Sequence, residues 1–171
     1  MYSTQTLIET VILLILIALS AWFSSAETAY STVSEVSLKA RAEEKDRGAA
    51  RALQVLDQYS KMLSTILICN NIVNLSASAL CTALIIRVFG TSLVSVGTAI
   101  LTVLIILFGE ITPKNISRIR AEQIAVADAP VIHFLMTGVM AFMIVFMHRT
   151  NIQRLREGTE RKFGEKKERQ S

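Results

Sequence analysis

Three long apolar runs constrain this chain more than anything else in it. They cover residues 7–23, 62–88 and 92–112. A bilayer crossing needs about 20 mostly apolar residues, so each run approaches or exceeds spanning length. The first is interrupted only by Glu9, Thr10 and Ser20, and its pattern continues towards Tyr30. It lacks a basic leading region, and so reads as a span rather than a cleaved signal. Only Phe89-Gly90-Thr91 separates the second run from the third, which predicts a tight helical hairpin. Apolar residues are 51% of the chain and charged ones 19%, an average that hides this uneven distribution. Disorder and a fibrous repeat are excluded, and the runs argue against a compact water-soluble domain. The net charge of +4 comes mainly from a solvated tail rather than a folded basic face, which argues against a nucleic-acid binder. Cys69 and Cys81 share one apolar run, about 18 Å apart if helical, too far for a mutual disulfide.

The segment 39–61 is polar and carries Lys39, Arg41, Lys45, Arg47, Arg51 and Lys61. It reads as one or two short helices divided at Gly48. The hairpin has only Arg87 at its edge, and the N-terminal stub has no basic residue. Basic loops stay in the cytosol. The N-terminus and the hairpin are therefore expected outside, with 39–61 and the residues after the third run inside. The run 124–147 is apolar enough for a fourth span. Crossing there would carry the basic tail outside, and Pro130 and Gly138 divide the run. The expectation is three spans followed by a bent pair of helices in the cytosolic interface, where basic residues meet anionic headgroups. The resulting plan is an all-α membrane protein: a first span within 1–33, a cytosolic helical segment at 34–61, spans at 62–88 and 92–115, a juxtamembrane belt at 116–150 and a basic tail at 151–171.

Polar groups inside the spans carry the chemistry, because ionisable residues are costly in hydrocarbon. Ser20, Ser24, Glu27 and Ser31 fall on one helical face at i, i+4, i+7 and i+11. Back-bonding to the preceding turn is the plainer reading for any one of these serines. The second run holds Asn70, Asn71 and Asn74. Asparagine either offers a neutral carbonyl oxygen to a hard cation or hydrogen-bonds neighbouring helices together. With three, at least one is expected to hold helices and one to line a site. The third set is Gly109-Glu110-Ile-Thr-Pro113-Lys114. Pro113 has no N–H and cannot bond the carbonyl four residues earlier, which is Gly109. A free backbone oxygen then lies beside the Glu110 carboxylate, a pattern seen where transporters coordinate cations. The simpler alternative is a proline kink with Glu110 paired to Lys114 at i, i+4. The donors are all oxygens, which suits Mg²⁺, Ca²⁺ or Na⁺ and disfavours zinc or copper.

The runs Ser-Ala-Trp-Phe-Ser-Ser-Ala-Glu-Thr-Ala at 20–29, Cys-Asn-Asn-Ile-Val-Asn at 69–74 and Gly-Glu-Ile-Thr-Pro-Lys at 109–114 closely resemble the transmembrane domain of the CNNM/CorB/CorC magnesium transporters. The resemblance covers about residues 5 to 150. It implies a multi-pass homodimer of the plasma or bacterial inner membrane, with three spans per subunit, an outside N-terminus and a juxtamembrane belt. It also implies Mg²⁺ export, proposed to be coupled to Na⁺ entry. The ion ligands it implies fall on Ser20, Ser24, Asn70 or Asn74, Gly109 and Glu110. Glu27, Asn71, Pro113 and Lys114 stand beside them as candidate supporting or gating residues. Such proteins continue into a paired CBS module that binds nucleotide. This chain stops at Ser171, so residues 1–171 are expected to be the membrane part of a longer protein, without ATP regulation of their own. The alternative function is a non-conducting membrane scaffold for a cytosolic partner. An enzyme is not expected, since His133 and His148 lack a nucleophile or metal partner at useful spacing.

Overall fold

The computed structural model describes residues 4–156, and every regular element among them is helical. Lipid offers no hydrogen bonds to exposed backbone, so apolar segments of this kind satisfy their backbone within helices. Helix α1 spans Thr4–Thr32, and two short helices follow, α2 over Glu35–Glu43 and α3 over Arg47–Leu56. Helix α4 spans Tyr59–Phe89 and stops at Gly90, whose φ of 81° lies in the left-handed region. A β-carbon there would meet nothing within 4 Å, so the backbone turn and not packing requires the glycine. A short turn at Thr91–Leu93 leads into α5, Val94–Leu104. A seven-residue π-helical turn, Ile105–Ile111, joins α5 to α6, Thr112–Ile119, and the whole makes one continuous rod. Helices α7, Ala121–Met147, and α8, Arg149–Arg156, complete the described chain.

Contacts fix the directions. Glu9 pairs with Arg87 at 2.6 Å and Ser20 bonds Asn70, so α1 and α4 are antiparallel. Glu27 lies 3.5 Å from Lys114 and Ser25 lies 2.6 Å from Ser117, so the rod runs parallel to α1. The outward faces are apolar: Leu7, Leu14, Leu75, Ile100 and Phe142 are all exposed. Small and polar residues, Ala26, Ala29, Ser20 and Ser24, are buried between helices. That arrangement is the reverse of a water-soluble bundle and fits a helical bundle in lipid, where small residues permit close helix approach.

The expected break at Gly48 lies elsewhere. The chain turns at Glu44–Asp46, with Lys45 at φ 69°, and Asp46 caps α3 by accepting from the N–H groups of Gly48 and Ala49. Gly48 is inside α3, where its smallness serves packing: a β-carbon would lie 2.5 Å from Val126 Cγ1 of α7. Arg41 bonds both Asp46 and Glu122, and Ser37 donates to Glu122 at 2.6 Å. These bonds clamp the α2–α3 turn to the start of α7.

The number of segments able to span also differs from the three expected. Four helical segments are long and apolar enough to cross a membrane: Thr4–Thr32, Tyr59–Phe89, Thr91–Ile119 and Ala121–Met147. The expected three rest on the basic tail that a fourth crossing would carry outside, and on Pro130 and Gly138 dividing the last run into a bent pair. Both residues instead lie within one helix. Pro130 removes only its own bond to the Val126 carbonyl and is otherwise exposed, so the helix continues through it. Residues His133 to Ile144 of α7, about 16 Å of helix, flank a groove whose other wall is Gln58 and Lys61 at the start of α4. The basic tail expected at 151–171 lies outside the described residues from 157 onward.

Candidate cation site

The three polar motifs meet at Ser20. Its side chain is 1% exposed, and Oγ donates to Asn70 Oδ1 at 3.2 Å. Gly109 packs against it from the rod: a β-carbon at 109 would lie 3.1 Å from Ser20 Oγ and 3.5 Å from Ser20 Cβ. The absence of a side chain at 109 and the short side chain at 20 let the π-helical turn reach α1. Of the two asparagines left open by the sequence, Asn70 is the one in contact with Ser20. Asn74 lies one turn further along α4, and its Oδ1 is buried without a hydrogen-bond partner. Ser24, one turn further along α1 in the opposite sense, is fully buried, and its Oγ also has no partner. Each orphaned buried oxygen costs about 1–3 kcal/mol. Two of them on the touching faces of α1 and α4 call for an explanation, and a bound ligand is one.

The π-helical turn supplies the backbone part of the site. Thr112 N–H donates to Leu107 O, five residues back. That commits the donor which a regular helix would give to the Phe108 carbonyl. Pro113 has no N–H at all, so the Gly109 carbonyl loses its regular donor too. Two consecutive carbonyls therefore lack their α-helical partners immediately before Glu110. Proline alone accounts for Gly109, and the wider turn adds Phe108. Nothing in the residue pattern signals that second carbonyl, since π-helical turns have no sequence signature of their own.

Glu110 does not share the packed contact of Ser20, Asn70 and Gly109. Its side chain is 53% exposed and pairs with Lys114 Nζ at 3.4 Å. The same ammonium sits 3.5 Å from Glu27 Oε2, so Lys114 lies between two carboxylates from different helices. The i, i+4 pairing weighed from the sequence is thus present, joined to a second acid. Asn71 is exposed and faces away from the Ser20 contact. Ser31, the last member of the α1 stripe, donates to the Glu27 carbonyl and does back-bond.

Several participants were not anticipated. Ser117 is buried, donates to Pro113 O at 2.8 Å and touches Ser25 Oγ, tying α1 to the exit of the π-helical turn. Trp22 Nε1 donates to Asp128 Oδ1 at 3.1 Å, linking α1 to α7. Ser25 and Trp22 were visible within the α1 motif, but their partners are about 100 residues away in sequence and carry no spacing signal. Among the described residues no three His, Cys, Asp or Glu side chains group in a way that could hold a metal, and both cysteines are free. The available donors are hydroxyl, amide, carboxylate and backbone oxygens, hard ligands suited to hard cations.

Comparison with known proteins gives a consistent picture. The family described as the cyclin M transmembrane N-terminal domain matches residues 11–168. A UPF0053 protein of Haemophilus influenzae is 37% identical over 115 residues, 67% of this chain and 27% of that protein. The UPF0053 inner membrane protein YfjD of Escherichia coli is 37% identical over 107 residues, 63% of this chain and 25% of its own length. A chloroplastic DUF21 domain-containing protein of Arabidopsis thaliana is 39% identical over 115 residues, 17% of its length. The chain thus matches about a quarter of the length of the two bacterial relatives.

Proposed function

The chain belongs to the family of the cyclin M transmembrane N-terminal domain, and from that premise we propose that it transports magnesium through a site between α1, α4 and the π-helical turn. The observation that carries this reading is the pair of carbonyls at Phe108 and Gly109 without α-helical donors, in a turn whose Gly109 packs against Ser20, the partner of Asn70. Magnesium favours octahedral oxygen coordination. Ser20, Asn70 and the Gly109 carbonyl form the packed part of the proposed ligand set. Ser24 and Asn74, one turn to either side of that contact, offer oxygens with no other partner at its two ends, and Glu110 contributes charge. Glu27 and Lys114 set the local balance beside it. The coupling ion would be Na⁺, entering as Mg²⁺ leaves.

The same proposal includes the topology and assembly. Three segments cross the membrane, with the N-terminus outside and the C-terminus in the cytosol. Helix α7 lies across the cytosolic end as a belt. Support comes from its groove, which sets residues 133–144 of α7 opposite Gln58 and Lys61 at the start of α4, the end that adjoins the basic 39–61 segment. The basic residues of 39–61 and of the tail then all stay inside. The working unit is a homodimer, and a cytosolic CBS module belongs to the longer protein.

Flux separates transport from the scaffold reading. Proteoliposomes holding the reconstituted protein and a Mg²⁺-sensitive dye should show Mg²⁺ movement that Glu110→Gln removes. Equal dye signals from wild-type and empty vesicles would favour the scaffold.

A further inference from the structure

Trp22 lies in the middle of the α1 motif, yet the proposed ion site leaves it unused. It stands two residues after Ser20 and two before Ser24, about 200° around the helix from each. It therefore backs the face that carries both hydroxyls. Its indole N–H donates to Asp128 Oδ1 at 3.1 Å, and the ring meets Phe23 edge-on at 4.9 Å between centroids. The other carboxylate oxygen, Asp128 Oδ2, is buried with no partner. A carboxylate within an apolar helix, holding one bond and one orphaned oxygen, is an expensive way to fill space. Its flanking residues Ala125 and Ala129 are fully buried, and Tyr30 donates to the Ala125 carbonyl at 2.9 Å. Helix α7 thus grips α1 at Trp22 and Tyr30, on the far side from Asn70 and Gly109.

We propose that Asp128 is a positioning residue which, through Trp22, fixes the rotation of α1 and so the aim of the Ser20 and Ser24 hydroxyls. The proposal rests on the magnesium-site reading. A helix free to rotate by one side-chain width would carry Ser20 Oγ out of reach of Asn70. Rotation is resisted on one face by the Ser20–Asn70 and Gly109 contacts and on the other by the Trp22–Asp128 bond. Helix α7 thereby influences the ion site without touching it, and a movement of α7 reaches the serine face through this bond, beside the Tyr30–Ala125 bond further along α1. Trp22 is the sole tryptophan of the chain, so the coupling has a built-in optical reporter.

The experiment measures Mg²⁺ affinity by titration and indole emission in the full chain, for wild type, Glu110→Gln, Asp128→Ala, Asp128→Asn, Asp128→Leu and Trp22→Phe. Wild type should show a Mg²⁺-dependent change in emission that Glu110→Gln abolishes. Asp128→Ala should weaken Mg²⁺ binding about tenfold, the equivalent of one hydrogen bond, and red-shift the emission without ion. Asp128→Asn keeps an acceptor oxygen and should recover most of the affinity, whereas Asp128→Leu fills a similar space without an acceptor and should not, which separates the bond from a purely steric role. Trp22→Phe keeps the ring and removes the donor, so it should weaken binding to the same extent even if Asp128→Ala does not fold. Wild-type affinity in Trp22→Phe overturns the positioning role and leaves the ion site standing. No Mg²⁺ binding by wild type overturns both.

Discussion

Ser20 and Gly109 approach so closely that a β-carbon at position 109 would lie 3.1 Å from the Ser20 hydroxyl oxygen. The same hydroxyl donates to Asn70 across 3.2 Å. One serine therefore touches the second and third motifs at once, and the glycine is the reason it can. The arrangement brings residues of three short motifs, far apart in sequence, into one contact.

Gly109→Ala tests that closeness. The added methyl presses on Ser20 Oγ at 3.1 Å, so the hydroxyl must give by a few tenths of an ångström and its 3.2 Å bond to Asn70 is strained or lost. Losing one such bond is worth about 1 kcal/mol, so Mg²⁺ affinity should fall about fivefold or more in a direct titration. A variant with native affinity would mean that Ser20 does not contribute.

Pro113→Ala tests the backbone oxygens. Alanine restores an N–H able to bond the Gly109 carbonyl, and the π-helical turn can relax to a regular helix. Binding should weaken while the ion-free melting temperature rises. Normal affinity alongside raised stability would reduce the proline to a structural kink.

How much of this was legible in the sequence follows from the range of the signals. Spans, hairpin and the Gly109 carbonyl come from composition and from proline chemistry, both local. The continuity of α7 through Pro130 was missed because a proline inside an apolar helix costs one bond, not the helix. Gly48 looked like a break because glycine is poor in helices; its contact with Val126 is long-range and invisible in the pattern. The Phe108 carbonyl depends on the π-helical turn, and Asp128 on a partner 106 residues away.

The two glycines of α3 and α7 should respond oppositely to alanine. Helix propensity favours alanine by roughly 0.5–1 kcal/mol in both. At Gly138 nothing lies within 4 Å of the new carbon, so Gly138→Ala should stabilise by about that amount. At Gly48 the new carbon would meet the stiff Val126 side chain at 2.5 Å. Overpacking of this kind costs about 1–3 kcal/mol and wins. Thermal unfolding in detergent reads both signs, and stabilisation by Gly48→Ala would contradict the α3–α7 packing.

Acid should loosen the α2–α3 turn. The bond from Arg41 holds the Asp46 carboxyl below the ordinary carboxylate range, assisted by the N–H groups of Ala49 and Gly48. A lowered folded-state value means that the stabilising contribution is complete above the unfolded value, about 3.9. It is lost as pH falls through the folded one. Asp46→Asn keeps the helix cap and removes the charge. Its melting temperature should vary less with pH below about 4 than that of wild type, and parallel profiles would contradict the assignment.

The central claim is a magnesium site built on the π-helical turn. Isothermal titration of Mg²⁺ into the purified protein and into Glu110→Gln tests it most directly. Glutamine preserves the size of the side chain and removes its charge. The account predicts saturable binding by wild type and none by the variant. Equal affinity in the two proteins would contradict it.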